Sequence, residues 1–196
     1  MKTFKVAVTG THSTGKTTFA EALKETLDAQ GYNTVCVSDL GEECRDRGFN
    51  ILYDHTPQST LWIMTEGIRR EMEAALTANV IIVDRPVPDA LGYYRAALSY
   101  RDEASPETWA SYLSSLAGHH AATYDLIFNS RLDPSIPLGT NKPRDPDGKF
   151  RRLADEAVAD VLVDLGIDHL SLTVDNTAAA VQLVLDQVRT HIGRSK

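Results

Sequence analysis

The residues best spaced to do chemistry are Gly10, Thr11, His12, Ser13, Thr14, Gly15, Lys16 and Thr17, which read G-x-x-x-x-G-K-T. Glycines at the first and sixth positions permit backbone angles and close approaches that a Cβ would block. The amides of such a turn, with the N-terminus of a following helix, face one anion. Lys16 can then reach the β- and γ-phosphates of a nucleotide, and the Thr17 hydroxyl can hold Mg²⁺, with Thr18 next in line. The pattern predicts a nucleoside-triphosphate site.

Carboxylates and arginines at strand ends form a second set. Asp39 follows the strand-like run Thr34-Val35-Cys36-Val37-Ser38 and is a candidate general base for a substrate hydroxyl, or else a loop carboxylate or helix cap. Glu42 and Arg45, three apart, can share a helix face. Val80-Ile81-Ile82-Val83-Asp84 is an aliphatic strand ending in a carboxylate placed for the Mg²⁺ shell or a substrate proton. Arg85 beside it suits bidentate contact with a phosphate. Asp89 is placed to cap the next helix or to contact substrate.

Farther on, Arg131 to Arg152 carries six basic against three acidic side chains, net +3, which leaves −10 for the rest of a chain at −7. Four of the eight prolines fall there as well. A basic island without regular structure reads as a phosphate clamp, a lid over about 131–150. Lys149, Arg151 and Arg152 crowd the start of the next helix, where the macrodipole disfavours cations and a bound anion would relieve the conflict. Arg144 and Arg151 are the candidate catalytic arginines, and Arg152 a nucleotide contact. Asn176 follows the last strand, where it can meet the adenine edge or cap the last helix. His119 and His120 are adjacent, point apart on a helix and have no ligand cluster nearby, so they do not read as a metal site. Thr140-Asn141-Lys142-Pro143 has Arg144 where a guanine-reading motif needs an acid.

The elements that position these residues are legible from periodicity. Phe4 to Thr9 is a short buried strand, and Phe19, Leu23 and Leu27 mark one face of the helix behind the glycine turn. Thr56-Pro57 is an N-cap and first-turn proline. Behind it a helix over 58–78 carries an apolar stripe of Leu61, Ile68, Met72, Ala75 and Leu76, closed by Asn79. A helix follows with Leu91, Tyr94 and Leu98, then another over 106–117. Strands are expected at 124–128 and 168–174, around a helix with Phe150, Leu153, Val158, Val161 and Leu162 on its apolar face. The 196 residues suggest one domain, and the acidic balance argues against a general nucleic-acid surface. Two cysteines, Cys36 and Cys44, suggest reduced thiols, and no apolar run is long enough for a membrane span. A cytoplasmic location is expected.

In this combination the chain resembles the small P-loop kinases, above all the AAA-domain group similar to the nicotinamide riboside kinase domain of the bifunctional NAD regulator. The resemblance rests on G-T-H-S-T-G-K-T, on Glu42-x-x-Arg45, on Gln58-Ser59-Thr60-Leu61-Trp62, on Asp84-Arg85-Pro86 ahead of Asp89, and on Asp147-Gly148-Lys149-Phe150-Arg151. It implies a three-layer α/β P-loop fold, a five-stranded parallel sheet in the order 2-3-1-4-5 with helices on both faces and a lid. It also implies that Glu42 and Arg45 border the acceptor. Pro86 departs from the Ser or Tyr of related kinases, so their substrate does not transfer. The expected function is phosphoryl transfer from ATP with Mg²⁺ to a small nucleoside, nucleotide or cofactor precursor. The expected partner is that acceptor, without membrane or general nucleic-acid binding, and a homodimer stays open. The alternative is a P-loop ATPase or switch acting through a protein partner.

Overall fold

The computed structural model describes residues 3–11, 14–132 and 148–193. His12, Ser13 and Arg144, most of the expected lid, and the rejected guanine-motif segment lie outside the described residues.

Five parallel strands, β1 (Phe4–Thr9), β2 (Thr34–Val37), β3 (Val80–Asp84), β4 (Leu126–Ser130) and β5 (Leu170–Leu172), form one sheet in the order β2-β3-β1-β4-β5. This is the P-loop kinase order expected above. Each parallel step needs a crossover, and the helices that supply them cover both faces. On one face, Val6, Val8, Ile82 and Phe128 meet Phe19, Leu23 and Leu27 of α1 (Lys16–Ala29), with Val184 and Val188 of α7 (Thr177–Gly193). On the other, Ala7, Ile81, Val83 and Ile127 meet Ala74 and Ala121, from α3 (Pro57–Ala74) and α5 (Glu107–Ala121). Beyond this layer α4 (Val87–Arg101) packs on α6 (Gly148–Asp164) through Tyr93, Ala96, Ala97, Phe150, Ala154 and Val158.

α3 begins as its sequence demands. Thr56 Oγ1 accepts from the Ser59 N–H at 3.2 Å, Ser59 Oγ returns the bond to Thr56 N–H at 3.0 Å, and Pro57 opens the first turn. Its buried face differs from the expected stripe. Met64, Gly67, Glu71 and Ala74 are buried, while Met72 and Leu76 are exposed. The reason is Glu71. Its carboxylate takes Lys5 Nζ at 3.1 Å, His120 Nε2 at 2.9 Å and the Tyr124 hydroxyl at 2.9 Å. A buried carboxylate is stable only with such partners, so the face carrying it turns inward.

Other elements shift for comparable reasons. The helix ends at Ala74, and Asn79 instead accepts the Asn33 N–H at 2.9 Å through its side chain. α5 runs four residues past its expected end, to Ala121, which brings His120 to Glu71. β4 runs two residues past its expected end, to Asn129 and Ser130, and the Ser130 side chain meets the glycine turn. β5 is shorter than expected, and a 3-10 turn (Leu52–Asp54) and a short α2 (Gly41–Asp46) precede α3.

Candidate active site

The C-terminal ends of β1, β2, β3 and β4 converge on one crevice. β1 runs into Gly10, whose φ of 132° and close approach to β4 both require glycine: a Cβ there would stand 2.2 Å from the Ser130 carbonyl oxygen. Ser130 Oγ also donates to the Thr14 carbonyl at 2.6 Å, fastening the far side of the loop to β4. Gly15, at φ 87°, is the N-cap of α1 and makes no side-chain cap. The first turn of α1 carries no acid, so no carboxylate of its own competes with an anion for the positive end of the dipole.

Lys16 opens α1 and is buried, with Nζ donating to the Thr11 carbonyl and, at 3.3 Å, to Thr14 Oγ1. Burial and the neighbouring Arg85 push its pKa down to about 8, against the pull of Asp84, Asp89 and Asp39. Thr17 Oγ1 donates to Asp84 Oδ2 at 2.9 Å. The other Asp84 oxygen, Oδ1, is buried and has no partner among the described residues. A threonine hydroxyl beside an unused carboxylate oxygen fits a hard divalent cation that takes its remaining ligands from phosphate and water. Among the described residues no cluster of three His, Cys, Asp or Glu could hold a metal by itself. His119 Nδ1 contacts the Ser115 carbonyl at 2.8 Å.

Arg85 continues the ladder, donating its N–H to the Val8 carbonyl at 3.1 Å, and then breaks it with φ 66°. That turn sends its side chain across the crevice, where Nε lies 3.0 Å from Asp39 Oδ2. Its guanidinium sits over the Tyr93 ring, 4.9 Å from the centroid. Burial opposes its charge, and Asp39 with Tyr93 outweighs that, raising its pKa. Asp39 Oδ1 accepts the Gly41 N–H at 2.9 Å, so Asp39 also steadies the start of α2.

Asp89 makes no cap for α4. Its carboxylate reaches back to β1, accepting from Thr9 Oγ1 and from the Gly10 N–H at 3.2 Å. Burial pushes its pKa up to about 7 despite Thr9, Arg85, Lys16 and Gly10. One turn on, the Tyr93 hydroxyl is 3.3 Å from Thr11 Oγ1. His55 stands beside Tyr93 with ring centroids 6.1 Å apart, its Nδ1 3.2 Å from Ser59 Oγ. Burial, then Arg101 and Arg85, drive its pKa down to about 4.

The remaining candidates are dispersed. Glu42 is exposed, and Arg45 leans on Asp46 at 3.6 Å, lining a shallow hollow with Phe49 and Tyr53. Glu43, not singled out from sequence, pairs with Arg70 and Arg47. Thr18 and Arg152 are exposed, and Arg151 is half-buried in the first turn of α6. Arg131, counted in the basic island, binds Asp155 at 2.9 Å, and Lys149 lies over the Tyr100 ring at 4.7 Å. The Asn176 amide closes its own turn, accepting from Thr173 N–H at 2.8 Å and donating to the Ser171 carbonyl at 2.9 Å. Sequence reasoning missed Thr9, Ser130, Tyr93 and His55. The spacing of four from Asp89 to Tyr93 was the available signal for Tyr93, since it puts both on one face of α4.

Sheet order, glycine turn and strand-end carboxylates together define the P-loop fold of small nucleoside and nucleotide kinases. A family model described as an AAA domain matches residues 5–178, and the chain belongs to that family. No curated protein sequence matches it. Among solved structures it is similar to deoxyadenosine kinase from M. mycoides with bound dATP (TM-score 0.65, 14% identity, 95% of this chain and 99% of that one). It is similar to NadR protein in complex with NR at TM-score 0.67 and 16% identity, over 94% of this chain and 51% of that one. Thymidylate kinase from Ehrlichia chaffeensis matches at TM-score 0.63 and 16% identity, over 96% and 100%. Among the described residues no helix is long and apolar enough to cross a membrane.

Proposed function

We propose that the chain is a single-domain, ATP- and Mg²⁺-dependent phosphotransferase acting on a small acceptor such as a nucleoside, nucleotide or cofactor precursor. The observation that carries this reading is the Asp39–Arg85 pair, held at 3.0 Å across the crevice from the glycine turn. A carboxylate and a guanidinium side by side suit an acceptor hydroxyl next to a transferring phosphate. The neighbours' named ligands, dATP and NR, belong to those proteins and support the acceptor class by analogy only.

The residues divide the work. Loop amides and Lys16 would hold the β- and γ-phosphates. Thr17 and Asp84 would hold Mg²⁺, which when bound neutralises phosphate charge. Asp39 accepts the proton of the acceptor hydroxyl as its oxygen bonds the γ-phosphorus and the bond to the ADP oxygen breaks. We assign this role to Asp39 over Asp84, because Asp84 already serves Thr17 and the cation site. Arg85 stabilises the phosphoryl oxygens, and the basic first turn of α6, with Arg151 and Arg152, adds positive charge. Glu42, Arg45 and the hollow beside them border the acceptor side. Catalysis of this kind is chiefly positioning and charge neutralisation. A cytoplasmic location suits an enzyme that draws on ATP.

The test incubates the protein with Mg²⁺–ATP and a panel of nucleosides, nucleotides and cofactor precursors. ADP formation and product mass are followed for wild type and Lys16→Ala. One acceptor should raise ADP release in step with a product heavier by a phosphoryl group. ATP hydrolysis unaffected by every acceptor would favour an ATPase acting through a protein partner.

A further inference from the structure

We propose that Asp89 and Tyr93 are positioning residues for phosphate binding, bracing the entry of the glycine turn from the same face of α4 that Arg85 adjoins. The proposal rests on the phosphate-binding reading above and deepens it.

Three successive residues are held by this face, one of them through its backbone. Asp89 accepts from Thr9 Oγ1 and from the Gly10 N–H, and the Tyr93 hydroxyl meets Thr11 Oγ1. Asp89 is 2% exposed and Tyr93 5%. Both Asp89 oxygens are engaged by the loop, which makes it a support of the loop rather than a contact for the acceptor. Burying a carboxylate is costly, and an apolar residue of similar size would serve packing as well or better. What the carboxylate adds is a fixed direction for the Gly10 amide. Gly10 needs that help: it has no side chain to anchor it, and its φ of 132° belongs to a region in which glycine is otherwise free.

Tyr93 carries a second connection. Its hydroxyl touches the loop while its ring supports the Arg85 guanidinium. Asp89 and Tyr93, four apart, share one face of α4, which starts two residues after Arg85, so the start of one helix links the glycine turn to the arginine opposite it. Donors aimed in advance at phosphate avoid reorganisation when the ligand arrives.

The test measures binding of a fluorescent ADP analogue, melting temperature and residue-resolved amide exchange in the free protein. The variants are Asp89→Asn, Tyr93→Phe, Thr11→Val and the Tyr93→Phe/Thr11→Val pair. Asparagine keeps the shape of Asp89 but loses one acceptor. We expect Asp89→Asn to exchange the Gly10 amide about tenfold faster or more and to bind the analogue about tenfold more weakly, while still folded. The Tyr93→Phe and Thr11→Val losses should overlap, with the double variant no weaker than the worse single one. Nucleotide affinity within twofold of wild type in every folded variant overturns the brace. So do strictly additive losses together with unchanged Gly10 exchange. If Asp89→Asn fails to fold, the Tyr93–Thr11 cycle still decides. A wild-type chain that binds no analogue would remove the phosphate reading itself, and this proposal with it, which separates the two failures.

Discussion

Arg85 Nε and Asp39 Oδ2 lie 3.0 Å apart although they come from the ends of neighbouring strands, β3 and β2. One edge of the Arg85 side chain is spent on Asp39 while its face rests on Tyr93. Lysine keeps the charge but offers neither a planar face nor a fork. Arg85→Lys is expected to lower kcat by roughly 10- to 100-fold, on the scale of one charged hydrogen bond. Steady-state kinetics on an acceptor picked out by the panel described above checks it, and unchanged kcat would leave Arg85 only the pairing of Asp39.

The backbone at Arg85 makes a separate prediction. Its φ of 66° is in the left-handed region, which costs a non-glycine residue about 1 kcal/mol. Arg85→Gly should therefore unfold at higher urea than Arg85→Ala, by about 1 kcal/mol, although both lose the guanidinium. Equal stability of the two would show that the surroundings, not the side chain, hold that angle.

How much of this was legible in the sequence depended on how local the cause was. β1, β3 and α1 followed from runs and periodicities within single segments. Asp39, Asp84 and Arg85 could each be named from their places at strand ends, but their mutual geometry is set by the sheet. α3 misled because the face it buries is chosen by Glu71, whose partners Lys5, His120 and Tyr124 come from distant segments. Asp89 pointed to a cap because a carboxylate in a first turn usually serves one. Its real partners, Thr9 and Gly10, are brought close only by the crossover from β1 to β3.

The two loop glycines should respond unequally. A Cβ at Gly10 meets the Ser130 carbonyl at 2.2 Å, whereas at Gly15 nothing lies within 4 Å and only φ 87° resists it. Gly15→Ala is expected to cost about 1 kcal/mol. Gly10→Ala adds overpacking of roughly 1–3 kcal/mol and must displace the loop from β4. Urea unfolding with nucleotide titration checks both, with the larger loss of affinity expected at Gly10. A reversed order would mean that the loop is not seated on Ser130.

Lys16→Ala is expected to leave stability unchanged or slightly raised while weakening triphosphate binding by about tenfold or more. The cation is buried, and its lowered pKa shows that the protein holds its charge at a cost. Removing it relieves that cost, but deletes a charged phosphate contact of roughly 1.5–3 kcal/mol. Calorimetric titration with a non-hydrolysable ATP analogue measures the loss. Wild-type affinity in the folded variant would sink the assignment of the glycine turn.

His55 should set part of the acid stability. It is buried, with its pKa lowered from 6.5 to about 4, first by burial and then by Arg101 and Arg85. Between those values the unfolded chain binds a proton that the folded protein refuses. Stability from this residue is therefore fully present above pH 6.5 and lost as pH falls towards 4, with a total on the order of 3 kcal/mol. Carboxylates elsewhere also titrate in acid, so the informative quantity is a difference between variants. Unfolding free energies of wild type and His55→Gln, measured from pH 7.5 down to 4.5, should converge as the pH falls, because glutamine has no proton to refuse. Parallel curves across that window would mean that His55 is protonated in the folded protein, and that the Tyr93 side of the crevice is wetter than the structure indicates.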